Sequence, residues 1–264
     1  MRSLEITIMA RPVLKKIFSS LKKRIQGKRV VHFLHVGKTG GSAINHAMEP
    51  CRETARYMIK RHGHEITLRD IPQGEGVIFF LRDPLARFAS GFNSRLRRGE
   101  PRAHNPWTAT EEEAFSQFDT PNLLATALSS EDEEMRSRAW AAMKSIEHVR
   151  DSFWKWFESE EYFLSRMDDI VFIGFQENLS QDFEMVKLKL GVPQSVSLPT
   201  DEVLAHKNPS HLDKTLNDRA MENLKHWYAE DIKFYAQCKN YSKWISQRDG
   251  HIALVGKGAR SVRE

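Results

Sequence analysis

Cysteine is scarce in these 264 residues: only Cys51 and Cys238 occur, far apart and outside any C-x-x-C spacing. That excludes a disulfide framework and a cysteine-based zinc site, and it predicts two buried thiols. Long apolar runs are missing as well. No stretch approaches the roughly 18 residues of a membrane span, and the N-terminal MRSLEITIMARPVLKKIFSS lacks the uninterrupted apolar centre of a secretory signal, so the expected location is the cytoplasm. Repeats and low-complexity tracts are absent, and no Asp/His cluster has metal-ligand spacing, so no catalytic metal is expected. With 40% hydrophobic and 28% charged residues the chain reads as a folded protein, long enough for one large α/β domain or two small ones.

Positive charge is unevenly placed. Residues 1–29 carry nine Lys or Arg and one Glu, a local +8 that leaves the other 235 residues at −3 within the total of +5. Val13, Leu14, Ile17, Phe18, Leu21 and Ile25 recur at helical spacing, with Lys15, Lys16, Lys22, Lys23 and Arg24 around much of the remaining wheel. The pattern predicts a basic amphipathic helix over residues 11–26 that either docks peripherally on an anionic membrane surface or packs on the domain. Residues 1–28 are therefore read as an arm, 29–245 as the folded domain and 246–264 as a tail. Nucleic acid is not an expected partner, because the basic charge is confined to the arm and no reader motif occurs.

Three strand-to-helix units organise the body. Val30-Val-His-Phe-Leu-His-Val36 is a β-branched apolar run that breaks into Gly37-Lys-Thr-Gly-Gly-Ser42 before a helix starting near Ala43. Val77-Ile-Phe-Phe-Leu81 ends in Arg82-Asp83-Pro84, with Asp83 suited to an N-cap and Pro84 to a first helical turn running toward Arg98. Ile170-Val-Phe-Ile-Gly174 leads to a helical pattern over Leu179–Leu190, stopped by Gly191 and Pro193. Strands alternating with helices predict a central parallel sheet flanked by helices. Between the second and third units, Thr108 to Met167 reads as a helical insertion whose aromatics belong to the core, and a final helix is expected over Leu212–Cys238.

The glycine turn after the first strand presents backbone N–H groups to an anion, unless it is an ordinary flexible turn. A Walker-type phosphate loop would require glycine where His32 stands, which weakens a nucleoside-triphosphatase reading, and G-x-G-x-x-G is not matched either. In the second unit Arg82, Arg87 and Ser90 lie at a strand end and along one helix, and Arg offers a planar donor fork to phosphate or sulfate. Two anion sites at adjacent strand ends point to a ligand with two anionic groups.

The run H-V-G-K-T-G-G-S resembles the 5′-phosphosulfate loop of sulfotransferases, and R-D-P-L-A-R-F-A-S resembles their 3′-phosphate motif, closest to the carbohydrate branch of heparan and chondroitin O-sulfotransferases in a bacterial-type form. The similarity continues weakly through F-I-G-F-Q-E-N-L-S-Q-D-F and covers about residues 30–240. It implies a P-loop-like fold and sulfuryl transfer from 3′-phosphoadenosine 5′-phosphosulfate (PAPS) to a hydroxyl of a saccharide or glycolipid. It assigns Gly37, Lys38, Thr39, Gly40, Gly41 and Ser42 to the 5′-phosphosulfate, Arg82 and Ser90 to the 3′-phosphate, and Lys38 to the charge on the leaving phosphate. A histidine base before the second motif strand is common in that branch, which selects His64 or His62 in R-H-G-H-E, with Glu65 and His35 as further candidates, unless these histidines are merely solvated. Lys207 is a weak candidate for a closing loop, Glu177 for a structural anchor, and Arg95, Arg97, Arg98 and Arg102 either line an acceptor cleft or form a solvated helix face. The rival readings are a P-loop kinase with a degenerate loop and a nucleotide-binding protein without activity.

Overall fold

The computed structural model describes residues 27–258 apart from 102, 202, 205–208, 210 and 211. The amphipathic arm, Arg102, Lys207 and the end of the tail therefore lie outside the described residues. Among those described, no helix is long and apolar enough to cross a membrane.

Four parallel strands form the centre: β1 (Arg29–Leu34), β2 (Tyr57–Arg61), β3 (Gly76–Leu81) and β4 (Ile170–Phe175), in the order β2-β1-β3-β4. The fold class is thus α/β with an all-parallel sheet, as the sequence predicts. Both faces are covered, which is why β3 reads as an unbroken apolar run. Val77, Phe79 and Leu81 meet Trp156, Phe157, Phe163 and Phe234 on one face. Ile78 and Phe80 meet Ile44, Phe183, Val186 and Leu190 on the other.

The helices on the second face are α1 (Gly41–Ala47), after β1, and a helix over Leu179–Leu190, after β4, which coincides with its predicted span and ends on the left-handed Gly191, φ 70°. Helix α2 (Pro84–Leu96) begins as predicted, with Asp83 Oδ1 accepting the Ala86 amide at 2.9 Å. It stops two residues before the expected Arg98, which turns left-handed at φ 55°.

The insertion contains no strand among its described residues, yet it is a chain of short helices rather than a continuous one: α3 (Ala109–Gln117), α4 (Pro121–Ala127), α5 (Glu133–Ser145), α6 (Trp154–Phe157) and α7 (Glu160–Ser165), followed by α8 (Leu179–Leu190) after β4. Its Met143, Ile146, Val149, Phe153, Trp156 and Phe157 are buried as expected, but Trp140 is 46% exposed. The final predicted helix starts later, breaks and runs further: α9 (Asp218–Trp227) and α10 (Ala229–Gly258) meet at Tyr228, whose buried hydroxyl donates to the Val149 carbonyl at 2.7 Å. Cys51 and Cys238 are both free and buried.

One buried ion pair joins α2 to the insertion. Arg95 and Glu111 are 4% and 2% exposed and bond twice, at 2.7 and 2.6 Å, and Glu111 also caps α3 and accepts the Glu147 amide at 3.1 Å. Burial opposes the Glu111 charge, but the bonds from Arg95, Thr108 and Glu147 outweigh it and hold its pKa at about 2. The stabilisation is complete above the unfolded carboxylate value and is lost as pH falls from about 4.5 toward 2. Glu111→Gln, which strands the Arg95 charge, is expected to cost about 3–5 kcal/mol in urea unfolding at pH 7, with the difference from wild type shrinking below pH 4.5.

Candidate functional site

Chain direction across the sheet reverses between β1 and β3, since β2 lies on one side of β1 and β3 on the other. Open parallel sheets bind ligands in the crevice beyond the strand ends at such a point. A cleft of about 720 Å³ lies there, bordered by Lys38, Gly40, Gly41, Ser42, His64, Arg82 and Ser90, a size typical of small-molecule sites. With His35, Arg95 and Arg97, which also line it, ten residues singled out from sequence are brought together. Gly37, Thr39 and His62 are not on its lining.

The loop owes its path to close packing. Gly40 is left-handed at φ 86° and lies under Leu179, and a Cβ on Gly41 would stand 2.2 Å from His35 Cδ2, so only glycine fits beneath that ring. The amides of Lys38 to Ser42 donate to no acceptor among the described residues. Thr39 turns inward, its hydroxyl donating to the Val36 carbonyl at 2.9 Å, which ties the loop down rather than offering that proton to a ligand. Gly37 contributes its carbonyl to Arg87 Nε at 3.0 Å. Lys38 itself is left-handed, φ 67°. Burial, with Arg97, Arg82 and Arg87 near, lowers its pKa to about 7.

Two arginines of the second motif separate in role. Arg82 faces the cleft with Nε buried and without a hydrogen-bond partner, while Asp83 caps α2 through its side chain and donates its amide to Glu177 Oε1 at 2.6 Å. Glu177 thus joins the β3 and β4 ends. Arg87 points away from the cleft, beneath the loop, donating to Gly37 and, at 2.6 Å, to the Asp151 carbonyl. Of the basic stretch beyond, Arg95 is neutralised by Glu111 and Arg98 stacks on Trp107 at 4.2 Å. Arg97 lines the cleft and adds to the field on Lys38.

The two candidate bases also separate. His62 Nε2 lies 2.8 Å from His32 Nδ1, and His32 Nε2 lies 2.6 Å from Glu75, which Lys60 also contacts at 3.0 Å. That row is set off from the cleft. Burial lowers the His32 pKa to about 4 and that of His62 below its usual value. His64 instead opens to the cleft: its Nδ1 donates to the His35 carbonyl at 3.1 Å, leaving Nε2 as the unprotonated nitrogen, and the Trp156 indole holds the His64 carbonyl at 3.0 Å. Desolvation and the charge of Lys38 keep it neutral at pH 7. Asn45 Nδ2 donates to both His35 Nδ1 and the His62 carbonyl, at 3.1 Å each, and so couples the two rows. Glu65 is exposed and off the lining. Ser94, Glu147, His148 and Lys214 line the cleft without any sequence signal having marked them.

An orphaned buried guanidinium nitrogen, a loop with donor amides and a lysine strained by like charge form a donor set suited to a multiply charged oxyanion. No protein-family model matches the chain, and no curated protein matches it significantly. Because a bound anion favours protonated Lys38, its binding takes up a proton above about pH 7. The affinity for sulfate, which does not itself titrate in this range, is expected to be constant below pH 6 and to fall between pH 7 and 9, in isothermal titrations. A flat profile over that range would remove Lys38 from the site.

Proposed function

We propose that the chain is a sulfotransferase that binds PAPS at the β1/β3 switch point and sulfates a hydroxyl of a carbohydrate or glycolipid. The observation that carries this reading is one cleft in which Lys38, the unpartnered Arg82 Nε and the unprotonated His64 Nε2 converge. It agrees with the resemblance of the two motifs, and the loop is read as P-loop-like on that ground.

When bound, PAPS supplies the sulfuryl group that the acceptor oxygen takes up. Lys38 places positive charge where the leaving phosphate gains negative charge, stabilising the transition state more than the ground state. The Gly40–Ser42 amides and the Ser42 hydroxyl hold one anionic end, and Arg82 with Ser90 the other. His64 removes the acceptor proton through Nε2, with Nδ1–H on the His35 carbonyl keeping the tautomer correct. Arg87 and Thr39 act only by holding the loop.

Calorimetric titration with adenosine 3′,5′-bisphosphate, beside ATP and 5′-AMP, tests the reading. Binding that requires the 3′-phosphate supports it; preference for ATP would favour a P-loop kinase instead. Lys38→Ala is expected to lower PAPS turnover about 10²–10³-fold, and His64→Ala about 10²–10⁴-fold, with bisphosphate affinity little changed in the latter. Arg82→Ala should act chiefly on affinity, by about 10–100-fold.

A further inference from the structure

Between α5 and α6 the chain crosses the mouth of the cleft at Glu147 and His148. His148 has φ 68°, in the left-handed region that an ordinary side chain adopts at a cost. Three tethers impose it. The Glu147 amide is held by Glu111, Ile146 and Val149 are fully buried, with the Val149 carbonyl accepting the Tyr228 hydroxyl, and the Asp151 carbonyl accepts Arg87. Gly91 on α2 makes room for the segment: a Cβ there would lie 3.1 Å from His148 Cβ and 3.3 Å from its carbonyl.

The ring gains no partner from this arrangement. Among the described residues neither of its nitrogens has a hydrogen-bond partner, and its nearest ring neighbour, His64, lies edge-on at 6.3 Å between centroids. Its Nδ1 would be 3.8 Å from a Cβ built on Gly37, at the root of the anion loop. A strained backbone that is clamped from both sides, and that delivers an unbonded polar ring to the cleft, does nothing for the fold that a small residue would not do better.

We infer that His148 is a ligand-contacting residue, donating a ring N–H to the oxyanion held at Lys38. Its charge state suits the position. Burial and the neighbouring Lys38 hold its pKa well below the usual histidine value, so the ring is uncharged. The cleft already gathers Lys38, Arg82 and Arg97, and a neutral donor adds a hydrogen bond there without another like charge. The inference rests on reading the cleft as an oxyanion site, and not on which nucleotide carries the anion.

The test compares wild type, His148→Gly, which accepts φ 68° without strain, and His148→Asn, which tolerates that region and keeps a donor. Inorganic pyrophosphate and adenosine 3′,5′-bisphosphate are titrated calorimetrically, thermal midpoints are measured, and the wild-type imidazole ¹⁵N shifts are followed. The expected result is a His148→Gly midpoint equal to or above wild type with about tenfold weaker binding of the probes, partial recovery in His148→Asn, and a shifted His148 ring resonance on binding. Unchanged affinity in His148→Gly, or weaker binding accompanied by a lowered midpoint and no recovery in His148→Asn, would overturn it in favour of a packing role. Wild type that binds pyrophosphate but not the bisphosphate would sink the sulfotransferase reading while the pyrophosphate comparison still decides His148. Binding of neither probe would sink both.

Discussion

The buried guanidinium of Arg87 is the contact on which the cleft depends. It lies beneath the anion loop, donates to Gly37 on one side and Asp151 on the other, and rests over the rings of Phe153 and Trp156, at 5.0 and 5.4 Å. Three distant stretches of chain are thereby referred to one rigid point: the β1 loop, the first turn of α2 and the segment that carries His148. A planar fork with several fixed donors can do this, whereas lysine, a point charge on a flexible stem, cannot. Asp231, buried nearby, accepts the Phe153 amide at 2.5 Å and leaves some negative potential opposite Arg87, so the charge is tolerated without a direct ion pair.

Above that support the cleft concentrates positive charge at the strand ends and keeps its histidines neutral. The two effects have one origin. Desolvation penalises every charged form in the crevice; the arginines, which stay protonated, add to it at Lys38 and His148, while at His64 the added charge is that of Lys38. On the proposed reading, a bound oxyanion relieves this like-charge repulsion. In that reading Lys38 is the group that takes up a proton on binding, and the neutral imidazoles donate or accept hydrogen bonds.

Much of this was legible in the sequence, and the parts that were not share a cause. Val77–Leu81 announces itself because both of its faces are buried, Ile170–Gly174 because the last helix covers that edge, with Ser242 and Arg248 donating to the Ile173 and Ile170 carbonyls, and Asp83-Pro84 marks a helix start by local chemistry alone. Strand β2 gives no such signal. It is the uncovered edge strand, whose Tyr57, Met58, Lys60 and Arg61 are only partly buried, and charged residues at such an edge are how sheets avoid further pairing, which erases the apolar run. Missing β2 left His62 and His64 as alternatives in an unanchored loop; placing them just beyond a strand end, two residues apart, is what sends them to different surroundings. Thr39 and Ser42 looked equivalent as donors, and only the fold shows Thr39 turned toward Val36. His148 carries no motif at all: its position is the product of its own contact with Gly91 and of the bonds that Glu147, Val149 and Asp151 make to Glu111, Tyr228 and Arg87, partners from 37 to 80 residues away from it in sequence, and such long-range clamps leave no periodicity to read.

The central claim is that the β1/β3 switch point holds two anionic groups, one on the Lys38 loop and one on Arg82. A crystal structure of the complex with adenosine 3′,5′-bisphosphate addresses it most directly. The expected complex has the 5′-phosphate against the Gly40–Ser42 amides and Lys38, the 3′-phosphate on Arg82 and Ser90, and open space between Lys38 and His64 Nε2 for an acceptor hydroxyl. Nucleotide seated elsewhere, or within this cleft but with no phosphate on Arg82, would contradict it.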